Sequence, residues 1–156
     1  MEEAKLESIN GEYRFYKLGG VLYLCRPNDI QKLTKKPVKE IPYVTLDKIL
    51  HLGRSEYKRR GYMEYIEGIN KKDVKGATGN INKINKNNLI ICSPTFVSRH
   101  HAFIFPPDKE YNWYTIKDLN SKNGIFIDND RIPQDERYDL RKGCEIRIGY
   151  IVLKFD

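Results

Sequence analysis

Three short stretches of polar and cationic residues have the chemistry to hold an anion. Gly53-Arg54 directly follows an apolar run, and the other two stretches place donor side chains beside residues that bend the backbone. These two stretches are Ser98-Arg99-His100-His101 and Asp118-Leu119-Asn120-Ser121-Lys122-Asn123-Gly124. Arginine presents a planar, always charged fork of donors, and a phosphate can accept two or three convergent donors. The three stretches together predict a site that binds a phosphate group.

The predicted donors supply different chemical groups. Arg54 supplies the guanidinium and Ser98 a hydroxyl, while Arg99 adds a second cation. Lys122 and Asn123 supply an ammonium group and a side-chain amide from the facing loop. The sequence thus indicates a charged pocket formed by loops at the ends of strands.

Catalysis is not indicated by the same residues. Ser98 and His101 are spaced like a hydrolase dyad, but no third group orients the histidine, and we expect His101 to bond backbone and hold the loops together. His100 has no assigned role. The chain has no nucleophile-elbow, phosphate-loop or kinase motif, so we predict a binding module rather than an enzyme, with any catalytic domain lying outside this chain.

Short apolar runs separated by turn residues predict an all-β domain without a sustained helical segment. A turn is expected at Arg26–Asp29, after the first of these runs. Nine strands are expected: 21–25, 43–46, 49–52, 88–92, 102–105, 113–119, 125–127, 145–148 and 151–155. Many short strands of this kind are typical of an antiparallel sandwich or barrel, which collects its loops at two ends.

Two segments fall outside this strand pattern. Residues 1–20 are expected to be an N-terminal extension, either a mobile tail or an added edge strand, ahead of a domain over residues 21–156. Residues 55–87 are rich in Gly, Asn and Lys and predict a long polar loop. The basic run Lys58-Arg59-Arg60 within it is read either as a solvated loop or as a nucleic-acid contact or nuclear address.

Composition limits the function classes. The net charge of +7 favours acidic partners, either phosphorylated protein or nucleic acid. The three cysteines are far apart and only three histidines occur, so we expect reduced, buried thiols, no metal site and no cofactor. An acidic N-terminus and the lack of a long apolar stretch predict an intracellular protein with no membrane partner.

The ordered motifs resemble the forkhead-associated (FHA) domain family. That family's pattern is Gly-Arg, Ser-x-x-His and Asp-x-x-Ser-x-Asn-Gly, followed by a late Leu-x-x-Gly. Here the pattern reads Gly53-Arg54, Ser98–His101, Asp118–Gly124 and Leu140–Gly143, so the match spans roughly residues 43 to 155. Phospho-motif recognition is the known activity of this family.

The resemblance implies an 11-stranded antiparallel β-sandwich, here with a long polar loop insertion over residues 55–87, that binds phosphothreonine in partner proteins. Arg54 and Ser98 would bind the phosphate, helped by Arg99 and Lys122, and Asn123 would bond the peptide backbone. The residues carried over as structural at the site are Gly53, His101, Ser121 and Gly124. The implied setting is a monomeric domain in nuclear signalling or in an RNA- or DNA-processing assembly.

The chain departs from the family pattern at several positions. Ile125, Asp128 and Asn129 stand where the family usually has Thr, Asn and Gly, and Cys144 replaces an acidic residue. The spacing of 98 − 54 = 44 positions between Arg54 and Ser98 is about twice the usual one. The alternatives are therefore an FHA-fold scaffold, or a nucleic-acid-associated protein, that binds partners independently of phosphate.

Overall fold

Sixteen β-strands and one short α-helix form the part of the chain that this computed structural model describes, residues 3–9, 11–33, 37–54, 56–57, 63–64, 85–92 and 96–156. The elements are β1 (Lys5–Ser8), β2 (Arg14–Leu18), β3 (Val21–Cys25), α1 (Pro27–Leu33), β4 (Lys39–Ile41), β5 (Val44–Thr45), β6 (Ile49–Arg54), β7 (Glu56–Tyr57), β8 (Met63–Glu64), β9 (Lys86–Ile91), β10 (Ala102–Phe105), β11 (Thr115–Asp118), β12 (Phe126–Ile127), β13 (Asp130–Arg131), β14 (Arg137–Asp139), β15 (Glu145–Ile148) and β16 (Ile151–Phe155).

Two sheets pack face to face over one core. The six-stranded sheet has the order β13-β12-β15-β16-β1-β5, and the eight-stranded sheet has the order β14-β11-β10-β6-β9-β3-β2-β4. Apolar side chains that alternate along both sheets meet between them, among them Leu52, Ile104, Ile146 and Phe155. The predicted all-β sandwich is confirmed.

All nine expected strands are present, and the remaining strands are short or come from regions where the sequence pattern is weak. Five of the sixteen described strands have only two residues, which is why their number exceeds the eleven that the family implies. Most pairs are antiparallel, as expected, but β9 runs parallel to both β6 and β3.

Residues 1–20 contribute a strand to each sheet. Within the six-stranded sheet β1 lies between β16 and β5, and within the eight-stranded sheet β2 lies between β3 and β4. Neither strand is at a sheet edge. The division into an extension of residues 1–20 and a domain of residues 21–156 stays a prediction, and most of the expected loop 55–87, including Lys58–Arg60, lies outside the described residues.

The expectation of a turn at Arg26–Asp29 is wrong, because α1 begins at Pro27. Proline suits the first turn of a helix, where its missing N–H has no intrahelical partner, and Asp29 places a carboxylate near the positive end. Seven residues are too few to show a helical period in the sequence. Ile30 of α1 packs onto the outer face of the eight-stranded sheet.

Reduced thiols are also a wrong expectation for two of the three cysteines. Cys25 at the end of β3 and Cys92 just after β9 form a disulfide, with Cα atoms 5.0 Å apart, and both are buried beside Ile30. The parallel pairing of β3 with β9 brings together two residues that are 67 positions apart in the sequence. Cys144 is a free, buried thiol.

Candidate functional site

One end of the sandwich collects the three predicted stretches. Because β10 is antiparallel to both β6 and β11, the end of β6, the start of β10 and the end of β11 lie side by side. Backbone bonds fasten them there: His101 N–H donates to Leu52 O at 2.9 Å, and Leu119 N–H donates to His101 O at 3.0 Å. The order of the strands therefore positions the loops before any side chain is considered.

Gly53 and Arg54 lie where β6 meets the segment that precedes β10. A Cβ at position 53 would be 2.0 Å from the carbonyl oxygen of Arg99, so only glycine allows this close approach. Next to it, Arg54 N–H donates to Ser98 O at 3.0 Å. These two contacts place the Arg54 side chain beside Ser98.

Ser98 joins the two facing loops. Its Oγ accepts a hydrogen bond from Lys122 N–H at 3.0 Å, and its own N–H donates to His101 Nδ1 at 3.0 Å. A hydroxyl that accepts through a lone pair retains its proton for another acceptor. Ser98 can therefore fix the position of Lys122 and still donate to an anion in the space between them.

His101 is a buried, neutral connector. Its Nδ1 accepts from Ser98 N–H, so the ring proton is on Nε2, which donates to Gly124 O at 2.9 Å. Burial is the main cause that lowers the His101 pKa from its ordinary value, while the bond to Gly124 and nearby Asp118 act in the opposite direction. The structure thus places His101 between the two loops, where a structural role was expected.

The loop after β11 is shaped by its own side chains. Asp118 Oδ1 accepts from Ser121 N–H at 2.8 Å, and Ser121 Oγ accepts from Gly124 N–H at 3.0 Å. Gly124 has a φ of 80°, a left-handed conformation that glycine adopts without strain. Asn123, exposed at the tip, donates from Nδ2 to Phe96 O at 3.0 Å.

A groove of about 510 Å³ opens between these loops. Its lining residues are Arg54, Val97, Ser98, Arg99, His100, Leu119, Asn120 and Lys122. Three of these are cationic, and none of the described residues that line the groove carries a carboxylate. Such a concentration of one charge, together with the Ser98 hydroxyl, suits a doubly charged anion.

Four of the five predicted phosphopeptide-binding residues line this groove, and the fifth, Asn123, lies beside it. The sequence reasoning missed the lining residues Val97, Leu119 and Asn120 and gave His100 no role. Asn120 carried a usable signal, because asparagine tolerates the left-handed conformation that it adopts here, with a φ of 56°.

Other site types have little support in the part of the chain that the structure describes. No group of three or more His, Cys, Asp or Glu residues there could hold a metal ion. No helix in the described ranges is long and apolar enough to cross a membrane.

A comparison with protein families finds that the FHA domain model matches residues 79–149, which include both loops after Arg54. No curated protein matches the chain in sequence.

Several solved structures are also similar to it. The FHA domain of the CT664 protein from Chlamydia trachomatis shares 15% identity over 99% of this chain and 96% of its own, with a TM-score of 0.47. The yeast Pml1 splicing factor shares 18% identity over 98% of this chain and 78% of its own, with a TM-score of 0.49.

Mycobacterium tuberculosis EmbR, solved in complex with a low-affinity phosphopeptide, shares 37% identity over 43% of this chain, with a TM-score of 0.37. The matched part is 16% of EmbR, so this chain spans a small fraction of that protein.

Proposed function

This chain carries a forkhead-associated (FHA) domain, and we propose that the domain binds phosphothreonine peptides in the groove between Arg54, Ser98 and Lys122. The observation that carries the proposal is the convergence of three cationic side chains and one serine hydroxyl on a single groove. A phosphothreonine brings about −1.5 to −2 charges and three acceptor oxygens, which match this set of donors.

The proposed roles follow the position of each side chain. Arg54 and Ser98 bind the phosphate directly, and Arg99 and Lys122 add positive charge on either side of it. Asn123 lies outside the groove at the loop tip, where its amide is placed to bond the backbone of a bound peptide.

Four further residues maintain this arrangement through contacts described above. Gly53 lets the Arg99 backbone approach, and His101 links the loops through its ring. Ser121 and Gly124 close the turn that presents Lys122 and Asn123.

A preference for threonine over serine would come from contact with the extra methyl group. Val97 and Leu119 are the buried apolar residues of the groove and are the candidates for that contact. Burying one methyl group contributes on the order of 1 kcal/mol, so we expect phosphothreonine peptides to bind several times more tightly than their phosphoserine counterparts.

The cellular setting that we propose for this domain is nuclear signalling or an RNA- or DNA-processing assembly. Its net charge of +7 supports this setting, because it favours acidic partners. Binding to an oligonucleotide that falls steeply with salt and ignores peptide phosphorylation would favour the alternative, a nucleic-acid-associated protein.

The decisive experiment measures fluorescence anisotropy with a phosphothreonine peptide library, with phosphoserine and unphosphorylated pools as controls. Arg54→Ala should weaken binding by about 2–5 kcal/mol, because it removes the guanidinium from a buried charge pair and leaves the phosphate without that partner. Arg14→Ala is the matched control, since it removes the same charge from β2, outside the groove. Equal binding by the wild type and Arg54→Ala would refute the assignment.

A further inference from the structure

The rings of His51 and His100 lie next to each other at the edge of the groove, and neither has a part in the binding roles proposed so far. His100 lines the groove and is partly buried, whereas His51 is fully buried on β6, the strand that ends in Arg54. His100 Nδ1 and His51 Nε2 are 3.1 Å apart, and the ring centroids are 5.1 Å apart. One ring must therefore donate a hydrogen bond to the other.

His51 is the uncharged ring of this pair. Burial, followed by the charges of His100 and Lys86, lowers the His51 pKa to about 3, so this ring is neutral at physiological pH. A His100 ring that is protonated at both nitrogens must donate from Nδ1 to His51 Nε2, which leaves the His51 proton on Nδ1.

His100 Nε2 is the ring nitrogen that does not face His51. The other two histidines, His51 and His101, are buried. Among the described residues, the cations Arg54, Arg99 and Lys122 line the same groove as His100, and Lys86 on β9 acts on the charge of His51. In the empty groove these cations oppose a charge on His100. A bound phosphate dianion reverses that balance.

We propose that His100 is a further phosphate-binding residue of this groove, protonated as the phosphate enters, and that His51 is the positioning residue that fixes its ring. The inference rests on the proposed function and adds to it a proton that is taken up with the ligand. Relative to a variant that cannot titrate at position 100, the phosphopeptide affinity of wild type should then rise as the pH falls from about 8 towards 6.5.

The test is isothermal titration calorimetry of a phosphothreonine peptide in buffers with different ionisation heats, at pH 6.5 and pH 8, with wild type and His100→Gln. Glutamine keeps a donor but cannot titrate. The chain has three histidines, and the other two are fully buried with lowered pKa values. The phosphate itself loses protons on entering a cationic site, so its contribution has the opposite sign to uptake by His100.

We expect wild type to take up more protons than His100→Gln, and the variant to bind about tenfold more weakly at pH 6.5 with a smaller loss at pH 8. On peptide binding, His51→Leu should take up fewer protons than wild type, although His100 is present in both. If that variant does not fold, ¹⁵N NMR of wild type should show His100 protonated at one ring nitrogen when free and at both nitrogens when the peptide is bound.

Equal proton uptake and equal affinity in wild type and His100→Gln would overturn the inference, and so would a neutral His100 ring in the complex. If Arg54→Ala still abolishes binding in that case, the proposed function stands without the histidine pair. No binding of any phosphopeptide by wild type would overturn both.

Discussion

Alanine at position 53 would disturb the closest backbone approach in the site. An added Cβ would lie 2.0 Å from Arg99 O, whereas ordinary contact begins near 3.4 Å, so the two segments must separate by about 3.4 − 2.0 = 1.4 Å. The obstacle is a carbonyl oxygen of the backbone, which cannot rotate away as a side chain can. The Cβ would also be 3.1 Å from the His51 ring, which limits movement in a second direction.

Overpacking of this kind costs about 1–3 kcal/mol, and we expect Gly53→Ala to lie in the upper half of that range. Displacing Arg99 also displaces Ser98, so phosphopeptide affinity should fall at least tenfold. Gly20→Ala is the control, because nothing lies within 4 Å of its added Cβ, and it should change stability by less than about 1 kcal/mol. Urea unfolding and peptide binding measure both effects. Identical midpoints and affinities for the two alanine variants would refute the steric argument.

Two further predictions concern stability. Because burial lowers the folded-state pKa values of His51 and His101, the unfolded state binds more protons below about pH 6.5. For His51 the unfolding free energy should therefore fall as pH decreases from about 6.5 towards 3, by up to about 1.4 kcal/mol per pH unit, and the lowered pKa of His101 adds a loss of the same sign. Urea titrations that give a flat profile would contradict this. Reducing the Cys25–Cys92 bond, which closes a 67-residue separation, should cost up to about 4 kcal/mol. Before reduction, thiol titration of the unfolded chain should find one reactive group, Cys144, and a count of three would disprove the bond.

The strands whose bounds the sequence predicted best are short, largely apolar runs next to turn residues. Val21–Cys25, Ala102–Phe105, Glu145–Ile148 and Ile151–Phe155 have the same bounds in the sequence analysis and in the structure. Short strands such as β13 and β14 were missed, because they have too few buried residues to create a period and form through their partners in the sheet.

Two features could not be predicted from the sequence, because they depend on pairing between strands that are far apart in the chain. The disulfide depends on β3 lying parallel to β9, and the contact between His51 and His100 depends on the register of β6 against β10. Neither pairing leaves a local trace in composition or spacing. In contrast, the four groove donors were found from local signals in the sequence. Arg54 follows Gly53, Lys122 precedes the turn Asn123-Gly124, and Ser98 and Arg99 begin the Ser-x-x-His stretch.

The site also separates into a part that sets its shape and a part that sets its charge. Its shape depends on bonds from backbone N–H groups to side chains other than the groove cations, such as Ser98 N–H to His101 and Lys122 N–H to Ser98 Oγ. The cationic side chain of Arg54 is not a partner in those two backbone bonds, so Arg54→Ala should lower affinity and cost less stability than the steric clash of Gly53→Ala. Gly53→Ala alters the shape and should lower both. A stability loss in Arg54→Ala as large as that in Gly53→Ala would show that the guanidinium also holds the loops together.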